Sequence, residues 1–79
     1  MLPENQVTHY IKKPPLLIDE VSSTEYYIGT SRNGSNENSP FWRIQKIWKV
    51  GNIWRFGYPN GNQDFKFEWS QRYSYTYTQ

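Results

Sequence analysis

Residues able to do chemistry are sparse in this chain. It has one histidine, His9, no cysteine, and seven carboxylates spread along 79 residues. Without cysteine there is neither a disulfide nor a thiolate metal site. A lone histidine builds a metal site only if carboxylates or a second subunit complete it. His9 lies between Pro3 and Pro14, and no serine sits in a G-x-S-x-G elbow that would expose it as a nucleophile. Asp64 and Glu68 are four apart on an expected strand, which places them on one face about 13 Å apart at ~3.3 Å per residue. Glycosidase carboxylates stand closer, roughly 5–9.5 Å, and a solvated face would raise neither pKa. Salt pairing with Arg55 or Lys66 is expected instead. No glycine loop of the phosphate-cradling type is present. The sequence therefore reads as non-enzymatic and cofactor-free, with binding or assembly as its work.

Rings and cations are the more prominent residues. Trp42-Arg43, Trp48-Lys49, Trp54-Arg55 and Phe65-Lys66 are adjacent pairs, the composition of a platform on which single-stranded nucleic acid stacks beside basic side chains. Strand parity argues against that use, because neighbours point to opposite faces and the rings are then expected away from Arg43, Lys49, Arg55 and Lys66. The RNP1 pattern is also missing. In so small a domain most rings are expected in the core. Nucleic acid is thus the alternative reading, with those four cations as its contacts. A glycan on Tyr73, Tyr75 and Tyr77 is a further alternative, although a rigid aromatic stripe with polar tips suits a protein interface better.

The elements that must position these residues centre on FWRIQKIWKVGNIWRFGYPNGNQDFKFEW, Phe41 to Trp69, which holds all four tryptophans. Trp54, Phe56 and Tyr58 alternate with Ile53, Arg55 and Gly57, the period of a strand. Asn60-Gly61 is the signal for a two-residue type I′ hairpin turn, which would set Phe56 opposite Phe65 and Trp54 opposite Phe67. For Gly51-Asn52, a two-residue loop would put Val50 against Ile53 and Trp48 against Arg55, mixing rings with charge on both faces. An odd-length or bulged connection sets Val50 against Trp54 and Trp48 against Phe56, and burial is expected to select it. Trp42, Ile44, Trp48, Trp54, Phe56, Phe65, Phe67 and Trp69 are then the expected core. Lys46 is the misfit on that apolar face, placed either at the sheet edge or past an aromatic ring.

Elsewhere, Pro14-Pro15 lacks two backbone donors and forces Lys13 toward extended geometry, so residues 1–20 read as non-helical, with polyproline II as the expected local conformation. Tyr10, Leu16, Leu17 and Ile18 make this arm too apolar for a solvated tail, so it is expected to lie on its own sheet or on a neighbouring subunit. Residues 24–30, TEYYIGT, read as a strand with Tyr26 and Ile28 on one face and Tyr27 on the other. SRNGSNENSP, residues 31–40, reads as a mobile loop. The tail alternates Tyr73, Tyr75 and Tyr77 and reads as a last strand after a reversal near Ser70-Gln71. No helix longer than one turn is expected. The fold class is all-β: a small antiparallel sheet or partly closed barrel of four to five strands (residues 23–79) with an extended N-terminal arm (residues 1–22).

The net charge of +2 hides an asymmetry. Residues 1–40 carry three cations and five carboxylates, and residues 41–79 six cations and two carboxylates. The halves can attract each other within one chain or between neighbours, or sit solvated. No apolar run exceeds Leu16-Leu17-Ile18, so neither a transmembrane helix nor a secretory h-region is expected, and the protein is expected to be soluble and made in the cytoplasm.

YYIG at 26–29, WRIQKI at 42–47, a Gly-Asn turn, YPNGNQDF at 58–65, Trp69, Arg72 and a closing YSYTY at 73–77 together resemble short virion- and tail-associated proteins of tailed bacteriophages. The similarity spans roughly residues 26 to 77 and lies in strand and turn positions, so it carries no catalytic residues over. It implies a structural part of a phage particle, in its tail, neck or fibre attachment, with other virion proteins as partners. An apolar arm and an aromatic edge strand on so small a domain point to a homo-oligomer. Subunit contacts are expected at Tyr10, Leu16, Leu17, Ile18, Tyr73, Tyr75 and Tyr77. Removing residues 1–20 is expected to lower the oligomer order or abolish incorporation.

Overall fold

A computed structural model describes residues 16–32 and 35–79. Five strands run in sequence order across one antiparallel sheet that does not close into a barrel. They are β1 (Leu16–Ser22), β2 (Glu25–Ser31), β3 (Trp42–Val50), β4 (Ile53–Pro59) and β5 (Tyr77–Thr78), and a 3-10 helix covers Trp69–Ser74. The all-β sheet expected from the sequence is present. Residues 16–22, read as the end of the arm, are instead its first strand, while Tyr10 and the rest of the arm lie outside the described residues.

The β3–β4 turn corrects the expected register. Val50 pairs with Ile53, Lys49 with Trp54, Trp48 with Arg55 and Ile47 with Phe56, so Gly51-Asn52 is a plain two-residue loop. Gly51 has φ 61 and Asn52 has no positive φ, the pattern of a type II′ turn with glycine at its first central position. Turn geometry fixed the register, and Trp54 and Phe56 went to the face opposite the core. Both are exposed, at 41% and 51%.

The second hairpin turn forms as expected, with Asn60 at φ 52, Gly61 at φ 74 and the Asn62 amide donating to the Pro59 carbonyl at 2.8 Å. The strand expected after it does not. Beyond Gly57, β4 leaves β3, and Phe67 takes the vacated place beside Trp42 through a reciprocal pair of 2.9 Å backbone hydrogen bonds. Phe65 and Phe67 therefore never meet Phe56 and Trp54. The partner of β4 is β5, with Tyr58 opposite Thr78 and Pro59 opposite Tyr77.

This route lets the C-terminal segment close one face of the sheet. Tyr27, Trp42, Ile44, Phe67 and Trp69 form the buried core, with Leu17, Tyr75 and Tyr77 packed against it. Trp69 lies over Gly29 so closely that a Cβ there would meet its ring at 2.4 Å, which is why a glycine stands in the middle of β2. The tail is a two-turn 3-10 helix plus a two-residue strand, not one long strand. The tyrosine alternation does not produce an exposed stripe, because Tyr73 lies in the helix while Tyr75 and Tyr77 turn into the core.

Two ion pairs join the acidic first half to the basic second half, as the charge asymmetry allowed. Asp19 accepts from Arg72 Nε at 2.9 Å and from the Tyr73 hydroxyl, and Lys46 Nζ lies 3.7 Å from Glu25. Lys46 also sits over the rings of Tyr27, Trp48 and Tyr77 at 5.3–6.0 Å, so the misfit lysine is held by cation–π contacts. The 31–40 loop, read as mobile, is tied down in its described part. Asn36 O accepts from Trp42 Nε1 at 2.9 Å, and Glu37 O accepts from the Ser70 amide at 2.9 Å.

Candidate functional site

With one face closed by the chain's own tail, the other face of the sheet is uncovered among the described residues. Register places its side chains in cross-strand rows. Leu16, Thr30 and Arg43 form one row, Ile18 and Ile28 another, then Glu20, Tyr26, Ile47 and Phe56, and finally Lys49 and Trp54. Contacts confirm that these residues share a face. The Tyr26 and Trp54 rings are 6.1 Å apart, Lys49 Nζ lies 5.7 Å from Trp54, and Gln45 Nε2 donates to the Tyr58 hydroxyl at 3.2 Å. An exposed apolar face of this extent marks an interaction surface.

The surface has two flanks of different chemistry. Toward β1 it is aliphatic, with Leu16 and Ile18 exposed at 58% and 61%. The outer side of β1 has no strand partner among the described residues, so its free amides and carbonyls are open to an added strand. Toward β4 it is aromatic and basic. At one end of β3, Arg43 and Arg32 both lie over Phe65, at 5.1 and 4.2 Å, and at the other Lys49 lies beside Trp54. Neither Arg43 nor Lys49 has a carboxylate within ion-pair distance among the described residues.

The residues singled out from the sequence divide accordingly. Leu16 and Ile18 lie on the open face, whereas Leu17 packs against the core. Tyr73 is exposed on the 3-10 helix and engaged with Asp19, Tyr75 accepts a 3.0 Å hydrogen bond from the Glu68 amide, and the Tyr77 hydroxyl donates to Arg72 O at 2.8 Å. Arg43 and Lys49 are on the open face. Arg55 is on the other, donating to Gln79 at 3.0 Å, and Lys66 lies in the connection after β4, over Phe67. The ion pairs expected between Asp64 or Glu68 and Arg55 or Lys66 do not form. Sequence reasoning missed Trp54 and Phe56 as surface residues; the glycine at the first turn position was the signal for it.

Packing of the tail onto the closed face perturbs titratable groups there. The hydroxyl of Tyr73 and the guanidinium of Arg72 hold Asp19 below the usual carboxylate range, and burial, with Glu25 nearby, pushes Tyr27 up to about 12. Burial raises Tyr77 as well. These shifts follow from packing the tail onto the sheet. Among the described residues there is no cavity able to hold a small molecule and no cluster of metal-ligating side chains. No described helix is long and apolar enough to cross a membrane. Comparison with known protein families, curated proteins and solved structures finds no match to this chain.

Proposed function

We propose that this protein is a structural component of a virion that works by association with copies of itself and with other virion proteins. The observation that carries this reading is the outer edge of β1, which has no strand partner among the described residues, with Leu16 and Ile18 exposed beside it. A long apolar edge is an aggregation hazard unless something pairs or covers it, and assembly supplies that cover. The resemblance to short phage virion proteins supports the virion as the place of assembly. Glu20 and the irregular pairing between Glu20 and Ser22 limit the edge to its first five residues, which favours a defined partner strand over open-ended stacking.

The test separates the edge from the arm. Deleting residues 1–20 would remove five of the seven residues of β1 and leave β2 paired on its β3 side alone, so the informative truncation stops at Pro15. Ile18→Lys keeps the sheet but puts a charge on the edge strand. The expected result is a lower solution mass and loss of incorporation for Ile18→Lys, with circular dichroism unchanged. Unchanged mass and incorporation for both variants would sink the proposal.

A further inference from the structure

The geometry points to a second binding surface, on the β3–β4 flank, for single-stranded nucleic acid. In the observed register, strand parity does not oppose such a site. Because Gly51-Asn52 is a two-residue turn, Trp54, Phe56 and Tyr58 share a face with Arg43 and Lys49 rather than opposing them. Nor are the rings needed in the core, since Phe67, Trp69 and Tyr77 supply the core from the tail and leave Trp54 and Phe56 exposed.

Three features fit this ligand class. First, Arg43 and Lys49 are six residues apart on one strand, a span of ~20 Å at the usual rise, with Trp54 level with Lys49 and Phe56 one row nearer Arg43. Cations at both ends of a ring-lined strip suit a phosphate backbone whose bases lie on aromatic faces. Second, the guanidiniums of Arg32 and Arg43 are stacked on Phe65, and planar guanidiniums are themselves stacking surfaces for unpaired bases. Third, neither Arg43 nor Lys49 has a carboxylate within ion-pair distance among the described residues. Asp19 and Glu25 are engaged by Arg72 and Lys46 on the closed face, and among the described residues Glu20, at the β1 end of the Tyr26–Ile47–Phe56 row, is the one carboxylate at a strand position of the open face. A flat strip without a cavity suits a polymer strand better than a small molecule. The aliphatic flank at β1, used in the assembly reading, is left free.

The experiment is a titration of an end-labelled oligothymidylate of about 12 nucleotides with the full chain, read by the fluorescence anisotropy of the label, at about 50 and 200 mM salt. Two or three phosphate contacts give a log–log slope of about −1.4 to −2, which weakens binding roughly 7- to 16-fold over that range. Trp54→Ala should weaken binding roughly 5- to 150-fold with the salt slope retained, the loss of one stacked base. Arg43→Gln with Lys49→Gln should flatten the slope, while Arg55→Gln and Ile18→Ala should change neither quantity. Absence of saturable binding at the lower salt overturns the proposal. So does equal competition by polyglutamate, which would show an acidic-protein surface, or an Arg55→Gln effect as large as that of Lys49→Gln.

Discussion

Gly29→Ala is the substitution that most sharply probes how the tail closes the sheet. Gly29 lies in the centre of β2, opposite Ile44, and its backbone is extended, so alanine brings no strain of its own. On backbone entropy alone the change would stabilise by ~0.4–1 kcal/mol. Against this, the new methyl would stand 2.4 and 2.6 Å from Cε3 and Cζ3 of Trp69. That ring is 3% exposed, between Trp42 at 6.1 Å and the Arg72 guanidinium at 4.5 Å. It has no free side to move to. Overpacking of this kind costs ~1–3 kcal/mol, so the clash outweighs the entropy gain. At roughly 4–8 °C per kcal/mol for a domain of this size, the melting temperature should fall by about 5–20 °C. The assay is urea and thermal denaturation in wild-type and Trp69→Leu backgrounds. With the indole gone, the effect of Gly29→Ala should change sign to a gain of several tenths of a kcal/mol. A neutral or stabilising Gly29→Ala in the wild-type background, or the same loss in both, would refute the packing argument.

Three further outcomes follow from the same geometry. The Asp19 carboxyl is held low in the folded chain, so its contribution to stability is present above the unfolded value near 3.8 and lost as pH falls through the lower folded value; Asp19→Asn should flatten the stability profile below about pH 4, seen in urea midpoints. Tyr27 and Tyr77 are raised above the model-peptide value of 10.0, so the unfolded chain ionises first and stability should decline as pH rises above about 10, seen in urea midpoints. Gly51→Ala forces a side chain into φ 61 and should cost ~1–2 kcal/mol, whereas a turn of the bulged type would tolerate it; thermal melts decide.

Much of the sheet was legible in the sequence because its strands carry period-two patterns and its turns carry glycine and asparagine at diagnostic places. Glu25–Ser31, Trp42–Val50 and Ile53–Pro59 match the expected strands to within a residue or two. The register of the first hairpin was also available, in Gly51 at the position a type II′ turn requires. The expectation that the rings of β4 are core points to the other register, and Trp54 and Phe56 are exposed instead. What overrode that assumption is tertiary. The tail brings Phe67, Trp69, Tyr75 and Tyr77 over the sheet, so the rings of β4 are surplus to its core. Nothing local in QRYSYTYTQ shows that Tyr73 ends a 3-10 turn while Tyr75 and Tyr77 insert into the core. Arg72 makes the difference, through its reach to Asp19 fifty-three residues earlier in the chain. The candidate site was illegible for the same reason, because its rings and cations share a face only once the register is known.

Light scattering behind a sizing column on the full-length protein tests the central claim most directly. The assembly reading predicts a discrete oligomer whose mass holds across a wide range of protein concentration, and whose order drops with Ile18→Lys. A protein that stays monomeric at every concentration, with the edge of β1 still unprotected from hydrogen exchange, would contradict it.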